Sequence, residues 1–169
     1  MMPSKTTSVL IGAAVYAVVG ALMSFVAFRG GLATMALGGC GACLAAFAGP
    51  AVAVWHYVTA HRLTLPAGSG AGLGAVTGLV GAVASTALAF ALRAASVLPT
   101  PAEVADIQRR LLAEAGFDAA QVDAQVQSGQ AMSGPVAEFA IALVAGLVIG
   151  AIGGAIAAAV VKRGEDYEV

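Results

Sequence analysis

Glu138 is the ionisable residue whose position in the sequence most suggests chemistry. It lies one turn into the apolar run from Pro135 to Val161 and is the only charged residue of that run. The partial positive charge of a helix N-terminus favours a carboxylate there, whereas exposure to lipid disfavours it. Two interpretations follow: an interfacial carboxylate at the start of a helix, or an ion- or proton-binding group at the mouth of a pore.

Cys40 and Cys43 form a C-x-x-C pair, a spacing that elsewhere binds metal or carries out redox chemistry. Here the pair lies in an apolar run. Zinc usually needs about four ligands, and His56 lies about 20 Å further along a continuous helix. We therefore expect two small, buried apolar residues, with a redox or metal role as the alternative, and we expect no cofactor.

The remaining polar groups of the apolar runs are isolated from one another in the sequence. His56 and His61 are expected to anchor a helix end at the membrane surface, and a shared metal is the alternative. Five hydroxyl residues of these runs have no histidine nearby in the sequence and are expected to bond to their own helices: Ser24, Thr34, Thr77, Ser85 and Thr86. The glycine-rich residues 68–74 lack both a G-x-G-x-x-G frame and a Walker lysine. No catalytic constellation is present, so the sequence predicts no enzyme.

The composition indicates the environment in which these residues must be positioned. Of the 169 residues, 60% are hydrophobic and only 10% are charged, against about 25% charged in soluble domains. A fold with so few charges cannot cover its surface in water. The net charge of -1 leaves no basic stripe of the kind that binds nucleic acid, and the wealth of large aliphatic residues excludes a disordered chain.

Four apolar runs are long enough to cross a bilayer, which takes about 20 residues per helix. They cover about residues 8–28, 31–55, 67–92 and 135–161. Because the runs are continuous rather than alternating, they favour helices over a β-barrel. The predicted fold is therefore all-α: a polytopic transmembrane four-helix bundle forming one domain, residues 1–169. Pro50 lies within the second run and is expected to kink it.

Residues 93–133, between the third and fourth runs, form a polar insert. Thr100 and Glu103 have the spacing of a capping box, and Gly116 is a candidate helix stop. Asp118 and Gln121 indicate a second cap. Helical spacing relates four apolar residues of the first segment: Val104, Ile107, Leu111 and Ala115. We expect one or two amphipathic helices on the membrane surface or over the mouth of the bundle, with a solvated linker as the alternative.

Glycines recur every four residues in the last two runs. The two stripes are Gly70, Gly74 and Gly78, and Gly146, Gly150 and Gly154. Small residues at this spacing let helix backbones approach closely in lipid, where apolar attraction does not drive pairing. We predict that these faces pack together, although a chain with 22 glycines also produces such spacing by chance.

The distribution of basic residues favours an orientation with both termini in the cytoplasm. Each side of a four-span protein would carry four: Lys5, Arg62, Lys162 and Arg163 on one, and Arg29, Arg93, Arg109 and Arg110 on the other. Residues near span ends dominate the positive-inside rule, and Arg109 and Arg110 lie far from both ends. Cleavage of the first run as a leader is not expected, because the run is long and Phe28–Gly30 is a poor cleavage site. Residues 37–40 resemble a lipobox but lack a suitable leader.

The layout resembles a family of small bacterial four-span inner-membrane proteins classed as a domain of unknown function. The resemblance rests on Trp55–Tyr57 with His61–Leu65, on Gly70–Gly74, on Pro99–Glu103, and on a glycine-rich last span ending in Lys162–Arg163. It covers about residues 55–163. It implies an architecture only, because the family has no activity to transfer.

Together these patterns predict an integral protein of the bacterial inner membrane that is non-catalytic and acts through helix packing or association. Its expected partners are the lipid bilayer and a second copy or another membrane protein, and not nucleic acid. The alternative is a subunit of a small channel or transporter. A pore would require aligned polar groups across several spans, and the sequence offers only scattered serine and threonine there.

Overall fold

The structure is a computed structural model and describes residues 4–29, 31–131 and 134–161. Six α-helices account for most of this part of the chain, and no strand occurs in it: α1 (Thr6–Ala27), α2 (Leu32–His61), α3 (Ala67–Ala94), α4 (Pro101–Glu114), α5 (Ala119–Ala131) and α6 (Pro135–Val160). The predicted all-helical fold is thus confirmed for the described residues. Gly30, Lys162 and Arg163, which entered the predictions above, lie outside them.

Four of these helices, α1, α2, α3 and α6, are long and apolar enough to cross a membrane. They correspond to the four predicted apolar runs, but α2 continues past the predicted end at Trp55 as far as His61. Pro50 lies inside α2 and is buried. α1 and α6 each pack against both α2 and α3, so the four helices form one bundle.

Glycine allows the closest helix contacts of the bundle. A β-carbon on Gly12 of α1 would lie 2.5 Å from the carbonyl oxygen of Gly49 in α2 and 2.7 Å from the methyl group of Thr77 in α3. Such distances exclude any side chain at Gly12, so the backbone of α1 contacts the backbone of α2 and the Thr77 methyl group of α3 directly. No glycine stripe marks Gly12 and Gly49 in the sequence, because neither has another glycine four residues away.

Large apolar side chains cover much of the outer surface, as expected for a surface that faces lipid. Leu37, Leu44 and Val144, for example, are each more than 60% exposed. Cys40 and Cys43 are exposed as well, so the expectation that they are buried is wrong.

The physical reason is that α2 has small residues on more than one face. Gly38 and Gly41 face α1, where an added β-carbon would meet Ala27 or Met23. The two cysteines instead line an open apolar groove of about 690 Å³ with Phe47 of α2 and Ile149 of α6. The sequence provides no apolar–polar contrast that would distinguish these faces.

Helices α4 and α5 form a hairpin with a small core of its own. Ala105 of α4 and Val122 and Val126 of α5 are buried, with Leu112 packed against them. The residues of the predicted apolar stripe of α4 are not the ones buried in this core: Ile107 and Leu111 are only partly buried, and Ala115 is exposed. α4 therefore has two apolar faces. The face that carries Ala105 packs against α5, because alanine is smaller than Ile107 and Leu111 of the other face and lets the two helices approach more closely.

The connection between α4 and α5 is built as the sequence predicts. α4 ends at Glu114, and Gly116 adopts φ +88°, with the N–H of Gly116 bonded to the carbonyl of Ala113 and that of Phe117 bonded to the carbonyl of Leu112. This is a Schellman motif, in which glycine avoids the steric strain of the left-handed conformation. Asp118 and Gln121 then exchange side-chain to backbone hydrogen bonds at the start of α5.

Candidate functional site

Glu138 forms a bidentate ion pair with Arg93. The two guanidinium NH groups of Arg93 donate to the two carboxylate oxygens over 2.9 and 3.1 Å. Arg93 belongs to the last turn of α3 and Glu138 to the first turn of α6, the helix ends at which their charges are electrostatically favoured. The pair is partly buried, with 24% of the Arg93 side chain and 38% of the Glu138 side chain exposed.

This pair determines what Glu138 can do. Both carboxylate oxygens accept hydrogen bonds from one guanidinium, which is the strongest common arrangement for such groups. Glu138 therefore holds the start of α6 against the end of α3, and the structure does not present it as a free ion-binding carboxylate. The sequence did not reveal Arg93 as its partner, although the two residues flank the insert that joins the end of α3 to the start of α6.

A cleft of about 470 Å³ opens beside this ion pair, between the end of α3 and the start of α4. Arg93, Val97 and Arg110 line it, together with Glu103 and Asp106. It thus combines an apolar wall with cations and carboxylates. The sequence analysis identified several of these residues as parts of helices but did not bring them together, because the turn between α3 and α4 determines their proximity.

That turn depends on a non-glycine residue in the left-handed conformation. Ser96 has φ +58°, and its N–H bonds to the carbonyl of Arg93 while the N–H of Val97 bonds to that of Leu92. These bonds close α3 in a second Schellman motif. Serine tolerates this conformation less well than glycine, so the turn carries some backbone strain at the edge of the cleft.

Thr100 and Glu103 form the predicted capping box at the start of α4. The Glu103 N–H donates to the Thr100 hydroxyl, and the Glu103 carboxylate accepts from the Thr100 N–H at 2.7 Å and from its hydroxyl at 2.9 Å. The backbone hydrogen bond, followed by the hydroxyl bond, lowers the pKa of Glu103 below its usual value. The carboxylate at the rim of the cleft is thereby kept ionised.

The six glycines of the predicted helix-packing stripes lie together between α3 and α6. A β-carbon on Gly150 would lie 2.6 Å from the carbonyl oxygen of Gly74, and one on Gly146 would lie 2.6 Å from that of Gly78. Gly70 likewise contacts Gly154 through backbone atoms. The two helices that flank the insert are thus joined backbone to backbone.

A separate polar group lies at the other end of the bundle, where α1 begins and α2 ends. The Ser8 hydroxyl and Nδ1 of His56 lie 2.9 Å apart, and the ring of His61 packs edge-on against buried Tyr57. The two histidines thus have different neighbours. Within the described ranges no three His, Cys, Asp or Glu side chains are close enough to hold a metal ion.

Comparison with known proteins does not assign a function, so the assignment rests on the geometry described above. No family model, no curated protein and no solved structure matches the chain. The two features that any assignment must use are therefore the glycine-joined pair of helices α3 and α6, and the capped hairpin with its cleft at the end of that pair.

Proposed function

We propose that this chain is a non-catalytic, multi-pass protein of the bacterial inner membrane that acts by association, with the membrane bundle holding the α4–α5 hairpin at the bilayer surface. The backbone contact between α3 and α6 at Gly74 and Gly150 carries the proposal. It joins the two helices from which the hairpin emerges and leaves no room for a passage between them.

The hydroxyl groups of Thr77 and Ser24 support association over transport. Thr77 is fully buried, and its hydroxyl donates to the carbonyl of Leu73 in its own helix. Ser24 likewise donates to the carbonyl of Gly20. A pore or substrate path through the bundle needs polar groups that face one another across helices, and these groups instead satisfy their own backbones.

The hairpin has the features of a surface for partner binding. It has its own buried core, a capping box and a Schellman turn, and Arg109 joins its two helices by bonding Asp106 at 2.8 Å and lying 3.9 Å from Asp123. Residues 101–131 contain five carboxylates and two arginines. The partner that we propose for this acidic surface is a second copy or another membrane protein, with the bilayer around the bundle.

The location and orientation are parts of the same proposal. The basic residues near the span ends favour an orientation with both termini in the cytoplasm, following the positive-inside rule. The resemblance to small bacterial four-span proteins supports the inner membrane. The alternative function, a subunit of a small channel or transporter, would require a lumen between copies rather than within one bundle.

Native mass spectrometry of the full chain in nanodiscs, together with ion flux into proteoliposomes, tests the proposal. We expect a discrete complex, either of the chain with itself or with a co-purified membrane protein, and flux no greater than in protein-free liposomes. A strictly monomeric chain without any partner would contradict association. Flux that requires the protein would support the channel alternative.

A further inference from the structure

The cleft beside Arg93 contains positive charge that is only partly used within the chain. Two of the five N–H donors of Arg93 bond to Glu138. Arg110, on the opposite wall, makes no hydrogen bond or ion pair with any residue that the structure describes. Two guanidinium groups thus line one cleft with donors available to a ligand.

The same cleft contains carboxylate oxygens that have no partner within the described chain. Thr100 occupies only Oε2 of Glu103, and Arg109 occupies only Oδ1 of Asp106. Glu103, Asp106 and Arg110 are spaced i, i+3 and i+7 and therefore share one face of α4. Asp106 and Arg110 are about one helical turn apart, roughly 6 Å along the axis, so two negative charges are followed by one positive charge along the wall.

The cleft lies at the level where the apolar surface of the bundle ends. Phe90, one turn before the end of α3, is 46% exposed, and the Arg93 guanidinium lies 5.9 Å from the centre of its ring. Val97 lines the cleft and is 45% exposed. An apolar surface that gives way to charges within one turn of helix is the arrangement found at the headgroup level of a bilayer.

We propose that this cleft binds a phosphoethanolamine group, with the phosphate between Arg93 and Arg110 and the ammonium on Glu103 and Asp106. Guanidinium groups recognise phosphate oxygens, and an ammonium supplies three donors to carboxylates. A simple anion would meet two carboxylates in the same space, whereas a zwitterion matches both signs. The volume of about 470 Å³ lies within the usual range for small-molecule sites.

Native mass spectrometry of the full chain in detergent, with dioleoyl lipids added at equal concentration, tests this assignment. We expect phosphatidylethanolamine to be retained in preference to phosphatidylglycerol, which has no ammonium, and to phosphatidylcholine, whose ammonium has no N–H. Arg110→Gln should reduce its retention about tenfold. Arg29→Gln removes the same charge outside the cleft and should leave retention unchanged, and thermal unfolding of each variant verifies that it is folded.

A second variant tests the ammonium end separately. Glu103→Gln keeps a capping-box residue at the start of α4 but removes the negative charge, so we expect lipid still to bind without the preference for phosphatidylethanolamine over phosphatidylglycerol. Soluble O-phosphoethanolamine distinguishes the two sources of the group: displacement of the lipid assigns the soluble compound, and continued retention assigns the lipid headgroup. Equal retention of all three lipids, or wild-type retention by folded Arg110→Gln, would overturn the proposal.

Discussion

Gly146 of α6 lies against Gly78 of α3 with no side chain between them, so that a β-carbon on Gly146 would lie 2.6 Å from the Gly78 carbonyl oxygen. Gly150 has the same relationship to Gly74. In lipid the gain from helix association comes from van der Waals contact, and small residues permit the closest contact. The pair of helices that carries the surface hairpin is therefore held by atoms of the backbone itself.

Replacement of Gly150 by alanine should destabilise the bundle. The new methyl group would overlap the Gly74 carbonyl, and overpacking of this kind costs about 1–3 kcal/mol. Gly72→Ala is the matched control, because a β-carbon on Gly72 meets nothing within 4 Å. Thermal unfolding in detergent, followed by circular dichroism, should show a lower midpoint for Gly150→Ala only. Equal midpoints for the two variants would contradict the close helix contact.

Breaking the Arg93–Glu138 pair should reveal a direct coupling between α3 and α6. Because both side chains are partly exposed and screened by salt, we expect a coupling energy of about 1 kcal/mol from Arg93→Ala, Glu138→Ala and the double variant. The measurement is unfolding of all four proteins in detergent, repeated at high salt, where the coupling should shrink. Strict additivity of the two single substitutions would show that the ion pair does not contribute to stability.

The features that the sequence predicted are those determined by neighbouring residues. A run without charges is a local property, so the four apolar helices follow from it. The Thr100–Glu103 cap and the stop at Gly116 likewise involve residues within one turn of each other. The partner of Glu138 was also predictable in principle, since Arg93 and Glu138 flank the insert that joins α3 to α6.

The features that the sequence did not predict are the directions in which apolar helices face. α2 is apolar on all sides, so no amphipathic contrast distinguishes the outward Cys40 and Cys43 from the inward Gly38 and Gly41. The same ambiguity affects α4, where the buried residue against α5 is Ala105, which lies outside the predicted stripe. Packing between helices determines these directions, and pattern alone does not.

Ser96→Gly should stabilise the protein by about 1 kcal/mol. Ser96 adopts φ +58°, a left-handed conformation in which the β-carbon of an L-residue crowds the following carbonyl and which glycine adopts without that strain. Ala95→Gly is the matched control, since Ala95 has φ -82° and gains nothing from glycine. The measurement is again the unfolding midpoint in detergent, and a lower midpoint for Ser96→Gly would show that the turn is not strained.

The capping box should make the start of α4 sensitive to acid. The pKa of Glu103 is lowered from the usual value of 4.5, so its stabilisation is complete above pH 4.5 and is lost as the pH falls through the lower pKa of the folded state. The carboxyl carbon of Glu103, followed by NMR, reports this midpoint. Thr100→Val removes the hydroxyl hydrogen bond to Glu103 but keeps the bond from the backbone N–H, which is the larger cause of the lowered pKa. The midpoint should therefore rise only part of the way towards 4.5. A complete return to 4.5 would show that the hydroxyl dominates.

Cysteine labelling should place the N-terminus and the hairpin on opposite sides of the membrane. Cys40 and Cys43 are first replaced by alanine, and a single cysteine is then introduced at Ser4 or at Gln127, both of which are exposed. With four spans and cytoplasmic termini, a membrane-impermeant maleimide should label Gln127→Cys in intact spheroplasts and Ser4→Cys only in inverted vesicles. The wild-type cysteines provide a control, because their positions in the lipid-facing groove should react with an apolar maleimide and not with a charged one. Labelling of both introduced cysteines from the same side would require an even number of crossings between residues 4 and 127 and would contradict the four-span topology. In that topology α1, α2 and α3 each cross the bilayer between these two residues, which gives three crossings.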